Sequence, residues 1–135
     1  MNRIIKFRVW DKLRKSFLEY PCYFNHLNFD EFTAFDRYFK CSEDDCVVQQ
    51  FTGLLDKNGR EIYEGDIVKM YLGKTNLESK LNWKVEYLED RASFGLTSGG
   101  CFQTFEDALF DEGCEAKFEI IGNVWENGEL LSVNR

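Results

Sequence analysis

The residue types that most directly suggest chemistry are three cysteines and the single histidine in the first third of the chain. Cys22 and His26 lie close together, and Cys41 and Cys46 follow within twenty residues. Thiolates and imidazoles are common zinc ligands, so these four residues could form a metal site. Structural zinc sites usually pair cysteines at C-x-x-C spacing, and the C-x4-C spacing here is looser. We expect no metal, although the pattern leaves the question open.

The cysteines as a set fit reduced thiols better. The chain has five of them, an odd number, with no C-x-x-C pair. No basic segment followed by an apolar run opens the sequence, and no apolar run approaches the ~18 residues needed to cross a bilayer. We therefore expect a soluble protein that is not exported and does not bind membranes, with cysteines that behave as small buried hydrophobic residues.

Catalytic motifs are not apparent in the sequence. His26 has no evident acidic partner, and there is no G-x-S-x-G nucleophile motif. Ser98-Gly99-Gly100 lacks the Gly-Lys-Ser/Thr of a phosphate-binding loop and reads as a turn. Paired acids between residues 106 and 115 could act as general acid and base. However, the sequence places no nucleophile or cation near them that would make one carboxyl the acid and another the base. We expect no catalytic residue, no cofactor and no enzymatic activity.

Charge is distributed unevenly along the chain, whose net charge is −7. Residues 1–15 contain six Lys/Arg and one Asp, whereas residues 106–119 contain six Asp/Glu and one Lys. These two segments could attract each other within one protomer or between protomers, or form two separate solvated faces. The basic segment could also contact a nucleic-acid backbone. Because the rest of the chain is acidic, we do not favour that alternative.

The element on which the fold depends is the stretch 46–70, CVVQQFTGLLDKNGREIYEGDIVKM. Two apolar, β-branched runs flank Asn58-Gly59, and Asn-Gly between strands predicts a hairpin with a type I′ turn. Glu64-Gly65-Asp66 then interrupts the alternation for three residues. This interruption predicts a sharp corner at which the chain leaves one sheet and enters the next.

The same stretch resembles the signature of YopX-like proteins, which are encoded by phages and prophages of bacteria. Its core is QFTGLLDKNGREIYEGDIV, and three further segments agree in order: IKFRVWDK at 5–12, WKVEYLED at 83–90 and EIIGNVWENGELL at 119–131. The resemblance implies a mainly β protein with a small SH3-type β-barrel over about residues 46–131. It also implies oligomers without an established biochemical activity, in the cytoplasm of a bacterial host.

The domain organisation follows from this resemblance and from the local patterns. We predict an N-terminal extension, 1–45, and a YopX-like barrel domain, 46–135. The extension would contain a β-hairpin from residue 3 to residue 20 and an amphipathic helix over 28–40, with Phe32, Phe35 and Phe39 on one face. Within the barrel we expect a mobile loop at 73–82, helical turns at 104–110, a last strand at 116–125 and a second Asn-Gly turn at 127–128.

These observations favour a non-catalytic module for protein interaction and self-assembly, with a host or phage protein as a further partner. The alternative is a nucleic-acid-binding protein, or an acidic protein that mimics nucleic acid. For the assembly, we expect the basic strand of one protomer to dock near the acidic segment of another, with Trp10 central. The expected interface residues are Lys6, Arg8, Trp10, Lys12, Glu106, Asp107, Asp111 and Glu112. Asn58, Gly59, Gly65 and Asp66 are expected to have structural roles in the turn and the corner.

Overall fold

The structure, a computed structural model, describes residues 4–17, 22–23, 46–72, 77–105 and 117–132, with side chains omitted at 22–23, 72 and 77–80. These residues are mainly β-structure. The strands are β1 Lys6–Asp11, β2 Ser16–Phe17, β3 Cys22–Tyr23, β4 Cys46–Leu55, β5 Glu61–Tyr63, β6 Asp66–Leu72, β7 Leu77–Leu88, β8 Ser93–Ser98, β9 Cys101–Thr104 and β10 Lys117–Asn123. A 3₁₀ turn spans Glu89–Arg91, and a short helix, α1, spans Glu129–Ser132.

Internal contacts divide the chain into two compact units, Met1–Gly53 and Leu54–Arg135. β4 leaves the first unit at Gly53, and its last two residues belong to the second. The division between 1–45 and 46–135 that we expect from the sequence stays a prediction, and the amphipathic helix predicted at 28–40 lies outside the described residues.

The first unit is built around β1. This strand pairs antiparallel with β2 and β3, and with β4 in the register Val9↔Val48 and Trp10↔Val47. Val9 and Trp10 are adjacent in the strand and both are buried, although neighbouring side chains of a strand point to opposite faces. The Trp10 ring packs edge-on against Phe17, with 4.8 Å between the ring centroids. The face expected to be basic and exposed is therefore partly covered.

The hairpin that joins β4 to β5 lies at the predicted position, but its turn type differs from the prediction. The Gly59 N–H donates to the Asp56 carbonyl (3.0 Å), and the Asp56 N–H donates to the Arg60 carbonyl (2.7 Å). Gly59 has a φ of 83°, whereas Asn58 is not among the described non-glycine residues with positive φ. A type I′ turn needs positive φ at both of its central residues. The turn is therefore type I and is followed by a glycine bulge.

The carboxylate of Asp56 explains this turn. Its Oδ1 accepts hydrogen bonds from the backbone N–H groups of Asn58 and Arg60, both at 2.9 Å. Its Oδ2 accepts a third from the N–H of Ile120 in β10, at 3.1 Å. The Lys57 N–H also donates to the Phe118 carbonyl (2.7 Å). One buried side chain thus shapes the turn and attaches it to β10.

Glu64 and Gly65 form the corner between β5 and β6, which belong to different sheets. Gly65 has a φ of 85°, in the region that favours glycine. Its N–H donates to the Val85 carbonyl and its carbonyl accepts from the Val124 N–H, both at 2.8 Å. The buried carboxylate of Asp66 accepts from the Tyr63 N–H at 2.8 Å. The corner is therefore held by hydrogen bonds on all sides.

The second unit contains a five-stranded antiparallel sheet with the order β10-β6-β7-β8-β9. Its register is irregular between Ile120 and Gly122 and between Lys69 and Tyr71, and such bulges increase strand twist and curl a sheet. The buried core contains Ile62, Val68, Met70, Trp83, Val85, Leu96, Phe105, Phe118 and Ile120. The described residues are mainly β-structure, with a curled sheet that is consistent with a small β-barrel. This confirms the predicted fold class.

One predicted connection differs from the structure. Residues 77–82, expected in a mobile loop, extend β7 and pair with β6, for example in Leu72↔Leu77. The predicted Asn-Gly turn near the C-terminus is preceded by a turn in which Asn123 Oδ1 accepts from the N–H groups of Trp125 and Glu126. The chain then enters α1, where the Leu130 carbonyl accepts a hydrogen bond from Asn82 Nδ2 at 2.9 Å.

The hairpin gives a stability prediction. In Gly59→Val, a β-branched residue must adopt a φ of 83°, which costs about 1–3 kcal/mol. A Cβ at this position meets no atom within 4 Å, so the loss would come from backbone strain alone. Thermal unfolding of Gly59→Asn is the matched control, because asparagine tolerates positive φ. Equal melting temperatures for Gly59→Val and wild type would contradict the turn geometry.

Asp56 gives a prediction on pH. Burial alone would raise the pKa of the Asp56 carboxyl, but the N–H groups of Arg60, Ile120 and Asn58 outweigh it and lower the pKa below its ordinary value. The carboxylate therefore stabilises the fold above the pKa of the unfolded chain, and this contribution disappears as the pH falls through the lower folded value. Asp56→Ala should cost at least about 1–3 kcal/mol at pH 7, since it leaves buried donors unpaired.

Denaturant unfolding of Asp56→Ala and wild type at a series of pH values would measure this contribution. The difference between the two proteins should shrink below about pH 4, where the aspartate of the unfolded chain protonates. A difference that stays constant down to pH 2 would argue against a structural role for the ionised carboxylate.

Candidate functional site

The β1–β2 connection, residues 12–15, forms a hydrogen-bonded basic turn. Asp11, only 4% exposed, accepts hydrogen bonds at Oδ1 from the N–H groups of Leu13 (2.9 Å) and Arg14 (3.1 Å). Its carbonyl accepts from the Lys15 N–H at 2.8 Å, and Lys15 has a φ of 54°. An aspartate that binds the N–H groups two and three residues ahead stabilises a tight turn. We call residues Lys12–Lys15 the basic turn.

The side chains of the basic turn point to solvent. Lys12, Arg14 and Lys15 are exposed, and the contact between Arg14 Nε and Asp11 Oδ2 is long, at 3.7 Å. Leu13 is 75% exposed, so its side chain contributes little to folding. The turn therefore presents one aliphatic side chain among three cations on a fixed backbone, an arrangement suited to contact with another molecule.

The other basic residues expected at an interface lie elsewhere. Lys6 is 8% exposed and Trp10 is 4% exposed, so both are buried in this chain. Arg8 is half-buried; its Nε donates to Gln49 Oε1 at 2.9 Å, and its guanidinium lies 4.3 Å from the centroid of the Phe17 ring. Lys12 is thus the member of this set that the structure places on the exposed turn. The acidic members, Glu106, Asp107, Asp111 and Glu112, lie outside the described residues, and their role stays a prediction.

A second surface feature lies on the sheet of the second unit, where β7, β8 and β9 are adjacent. Gly95 in β8 pairs with Glu86 of β7 and Thr104 of β9, and a Cβ on it would collide with the Leu88 side chain and lie 2.8 Å from the Gln103 carbonyl oxygen. Because Gly95 has no side chain, the Leu88 side chain can lie over it on the surface of the sheet. Beside it is an open groove of about 230 Å³, lined by Leu88, Asp90, Thr97, Gly100, Cys101 and Phe102.

The rim of this groove is acidic and aromatic. Glu89 and Asp90 are exposed on the 3₁₀ turn, which ends at Ala92 in the left-handed region (φ 49°). The Arg91 guanidinium lies 5.0 Å from the centroid of the Phe102 ring, and Phe102 is 51% exposed. A charged aromatic edge of this kind is typical of surfaces that contact other macromolecules.

Among the described residues, three groups have shifted pKa values, and neighbours in the fold explain each of them. Besides Asp56, the hydrogen bond from Lys57 to Glu119 (2.9 Å) raises the pKa of the Lys57 ammonium. Burial would raise the pKa of the Glu86 carboxyl, but hydrogen bonds from Lys84 and Thr97 lower it overall. Such shifts can mark catalytic groups, but these partners give them a structural cause.

The cysteines require a correction. Cys46 is disulfide-bonded, with a partner outside the described side chains, so our expectation of reduced thiols is wrong at this position. A disulfide needs its two Cα atoms within about 7 Å, which sequence spacing alone cannot reveal. Because the Cys46 sulfur is in a disulfide, it is not available as a thiolate ligand for the zinc site considered at Cys22, His26, Cys41 and Cys46. Cys101 is free and exposed, and within the described part of the chain no group of His, Cys, Asp or Glu is arranged to bind a metal.

The groove could not be predicted from the sequence, because its lining residues come from β7, the 3₁₀ turn, β8 and β9 and are brought together only by the fold. The exposed leucine had a visible signal, since Leu13 is the single apolar residue between Lys12 and Lys15. Among the described residues, no helix has the length and apolar character that crossing a membrane requires.

The role of Asp11 can be tested by hydrogen exchange. Asp11→Ala removes the acceptor of two backbone N–H groups, so the amides of the basic turn should exchange faster and the fold should lose about 1–3 kcal/mol. Lys12→Ala, a change to an exposed side chain, should stay within about 0.5 kcal/mol of wild type. Unchanged exchange at residues 13 and 14 in Asp11→Ala would show that the turn does not depend on this carboxylate.

Comparisons with known proteins agree with this architecture. The profile of the family described as YopX protein matches residues 6–132. The crystal structure of protein EF1440 from Enterococcus faecalis is similar, with a TM-score of 0.57 and 25% sequence identity over 96% of this chain and 99% of that chain. No curated protein sequence matches the chain. Since the family match covers nearly the whole chain, the protein belongs to the YopX family.

Proposed function

We propose that this YopX-family protein is a non-catalytic interaction module that assembles with copies of itself. The observation that carries the proposal is the basic turn, in which Asp11 fixes the backbone and Leu13 is 75% exposed. A rigid backbone reduces the ordering cost of binding. An exposed aliphatic side chain on such a turn provides apolar area that only a partner would bury.

The charge of the chain favours a second copy as the partner. With a net charge of −7 and exposed acids such as Glu89, Asp90 and Glu126, each copy offers negative surface to the cations of the turn. Exposed ion pairs contribute only a few tenths of a kcal/mol each, but complementary charge orients two surfaces and accelerates their encounter. Affinity would come mainly from buried apolar contacts such as Leu13.

The same turn could engage another acidic protein of a phage or of its bacterial host, in the host cytoplasm. In this proposal the protein acts by binding and holds no catalytic residue or cofactor. The shifted pKa values of Asp56, Lys57 and Glu86 support this, because fold partners account for each of them.

A nucleic-acid-binding role is the second candidate, favoured by the three exposed cations of the basic turn. With about three phosphate contacts, the logarithm of the affinity should fall with the logarithm of salt concentration with a slope near −3. Such binding is weak, and the negative charge elsewhere on the chain opposes it. The protein would be retained on immobilised DNA at low salt. A loss of retention with this slope as the salt concentration rises would support this role over self-assembly.

The assembly can be tested by light scattering and sedimentation. The wild-type protein should form oligomers at micromolar concentration, and Lys12→Glu/Arg14→Glu should shift it toward monomer. Raised salt should weaken the wild-type assembly in the same direction, because it screens exposed charges.

The matched control is Arg60→Glu/Lys117→Glu, which makes the same change in net charge at two exposed residues outside the turn. This control should remain oligomeric if its melting temperature shows a folded protein. A wild-type monomer at high micromolar concentration would overturn the self-assembly proposal.

A further inference from the structure

We infer that the basic turn of one copy docks into the groove on the β7–β9 surface of another copy, with Leu13 inside the groove. This inference rests on the proposed self-assembly and specifies its contact. It requires two different surfaces, the basic turn of the first unit and the groove of the second, and both belong to described residues.

The size of the groove fits a side chain. Its volume is about 230 Å³, below the range of about 300–1,000 Å³ typical of small-molecule sites. A cavity of roughly 150 Å³ is enough to hold a benzene ring, so an aliphatic side chain has room to enter. Leu88 and Phe102 supply apolar walls, and contact with them would cover part of the exposed surface of Leu13 and of Phe102.

The charges of the two surfaces are complementary. Asp90 lines the groove, Glu89 precedes it on the same 3₁₀ turn, and both are exposed. They would face the cations that flank Leu13. Arg91 is the opposing charge, and its guanidinium is directed onto the Phe102 ring at 5.0 Å. The Glu86 carboxylate is already bound by Lys84 Nζ (2.6 Å) and Thr97 Oγ1 (2.9 Å), so the acids of the 3₁₀ turn are the ones that receive Lys12 and Arg14.

Both surfaces are preorganised. Asp11 fixes the turn through two N–H groups, and the groove lies on paired strands whose register is continuous from Lys84↔Thr97 to Leu88↔Ser93. Little backbone order would be lost on docking, which lets a small contact contribute to affinity. Because the turn and the groove are different patches, the contact is heterologous, and repeated docking would produce a closed ring or an open filament.

A charge-exchange experiment tests this contact. The turn variant Lys12→Glu/Arg14→Glu and the groove variant Glu89→Lys/Asp90→Lys should each assemble at least about tenfold more weakly than wild type, a change of about 1.4 kcal/mol per contact. Mixed together, they should assemble again, because the acidic turn of one fits the basic groove of the other and the second pair is unaltered. A chain carrying all four substitutions should also assemble on its own.

The control is Glu126→Lys/Glu129→Lys, which changes the charge equally at two exposed residues that do not line the groove and should assemble like wild type. A second readout is maleimide labelling of Cys101, which is free, exposed and part of the groove. Its labelling, followed by peptide mass spectrometry, should be slower in assembled wild type than in the turn variant.

The outcomes separate this inference from the proposed function. A wild-type protein that stays monomeric would overturn self-assembly itself. Oligomers that persist in both variants, or variants that lose assembly without recovering it on mixing, would overturn docking of the turn in the groove while leaving self-assembly in place.

Discussion

The hydrogen bonds of one buried carboxylate, Asp56, hold together the central part of this protein. Three backbone N–H groups converge on it, two from the hairpin turn and one from β10. The hairpin is thereby fixed to a strand more than sixty residues later in the sequence, and the Lys57–Phe118 backbone bond strengthens the same attachment. Hydrogen bonds to an ionised acceptor are stronger than hydrogen bonds between neutral groups. The corner at Gly65 follows a few residues later, so the entry into the second sheet depends on a turn that this carboxylate shapes.

Much of this arrangement could be predicted from the sequence, because hairpins and corners are encoded locally. Asn58-Gly59 and Glu64-Gly65-Asp66 lie where the turns occur, and the apolar alternation of 83–87 corresponds to part of β7. The turn type could not be predicted in this way, since it depends on Asp56, whose carboxylate stabilises a type I turn through Asn58 and Arg60. Nor could the extension of β7 through residues 77–82, because polar residues in a long hairpin resemble a loop until their pairing with β6 is known.

The candidate site was less predictable, and for a related reason. In β1, alternation suggests one covered and one exposed face, but Lys6 and Trp10 are buried as well as Val9, and the Phe17 ring of β2 packs against Trp10. Whether that face is buried depends on contacts with residues that are distant in sequence. These contacts cannot be inferred from the alternation within a single strand. The exposed part of the basic segment is therefore its turn. The groove likewise depends on residues of different strands, such as Leu88 and Phe102, that only the fold brings together.

The distribution of charge gives this turn its significance. In a chain of net charge −7, like-charged copies repel one another at long range, which opposes non-specific association. In the proposed assembly, the cationic turn reduces this repulsion where it approaches an acidic patch of another copy, and the apolar Leu13 makes close contact favourable where a matching surface exists. Specificity in that assembly would come from the combination of repulsion over most of the surface and attraction at this contact. Because Asp11 holds the turn and paired strands form the groove, both surfaces of the proposed contact would be in place before two molecules meet.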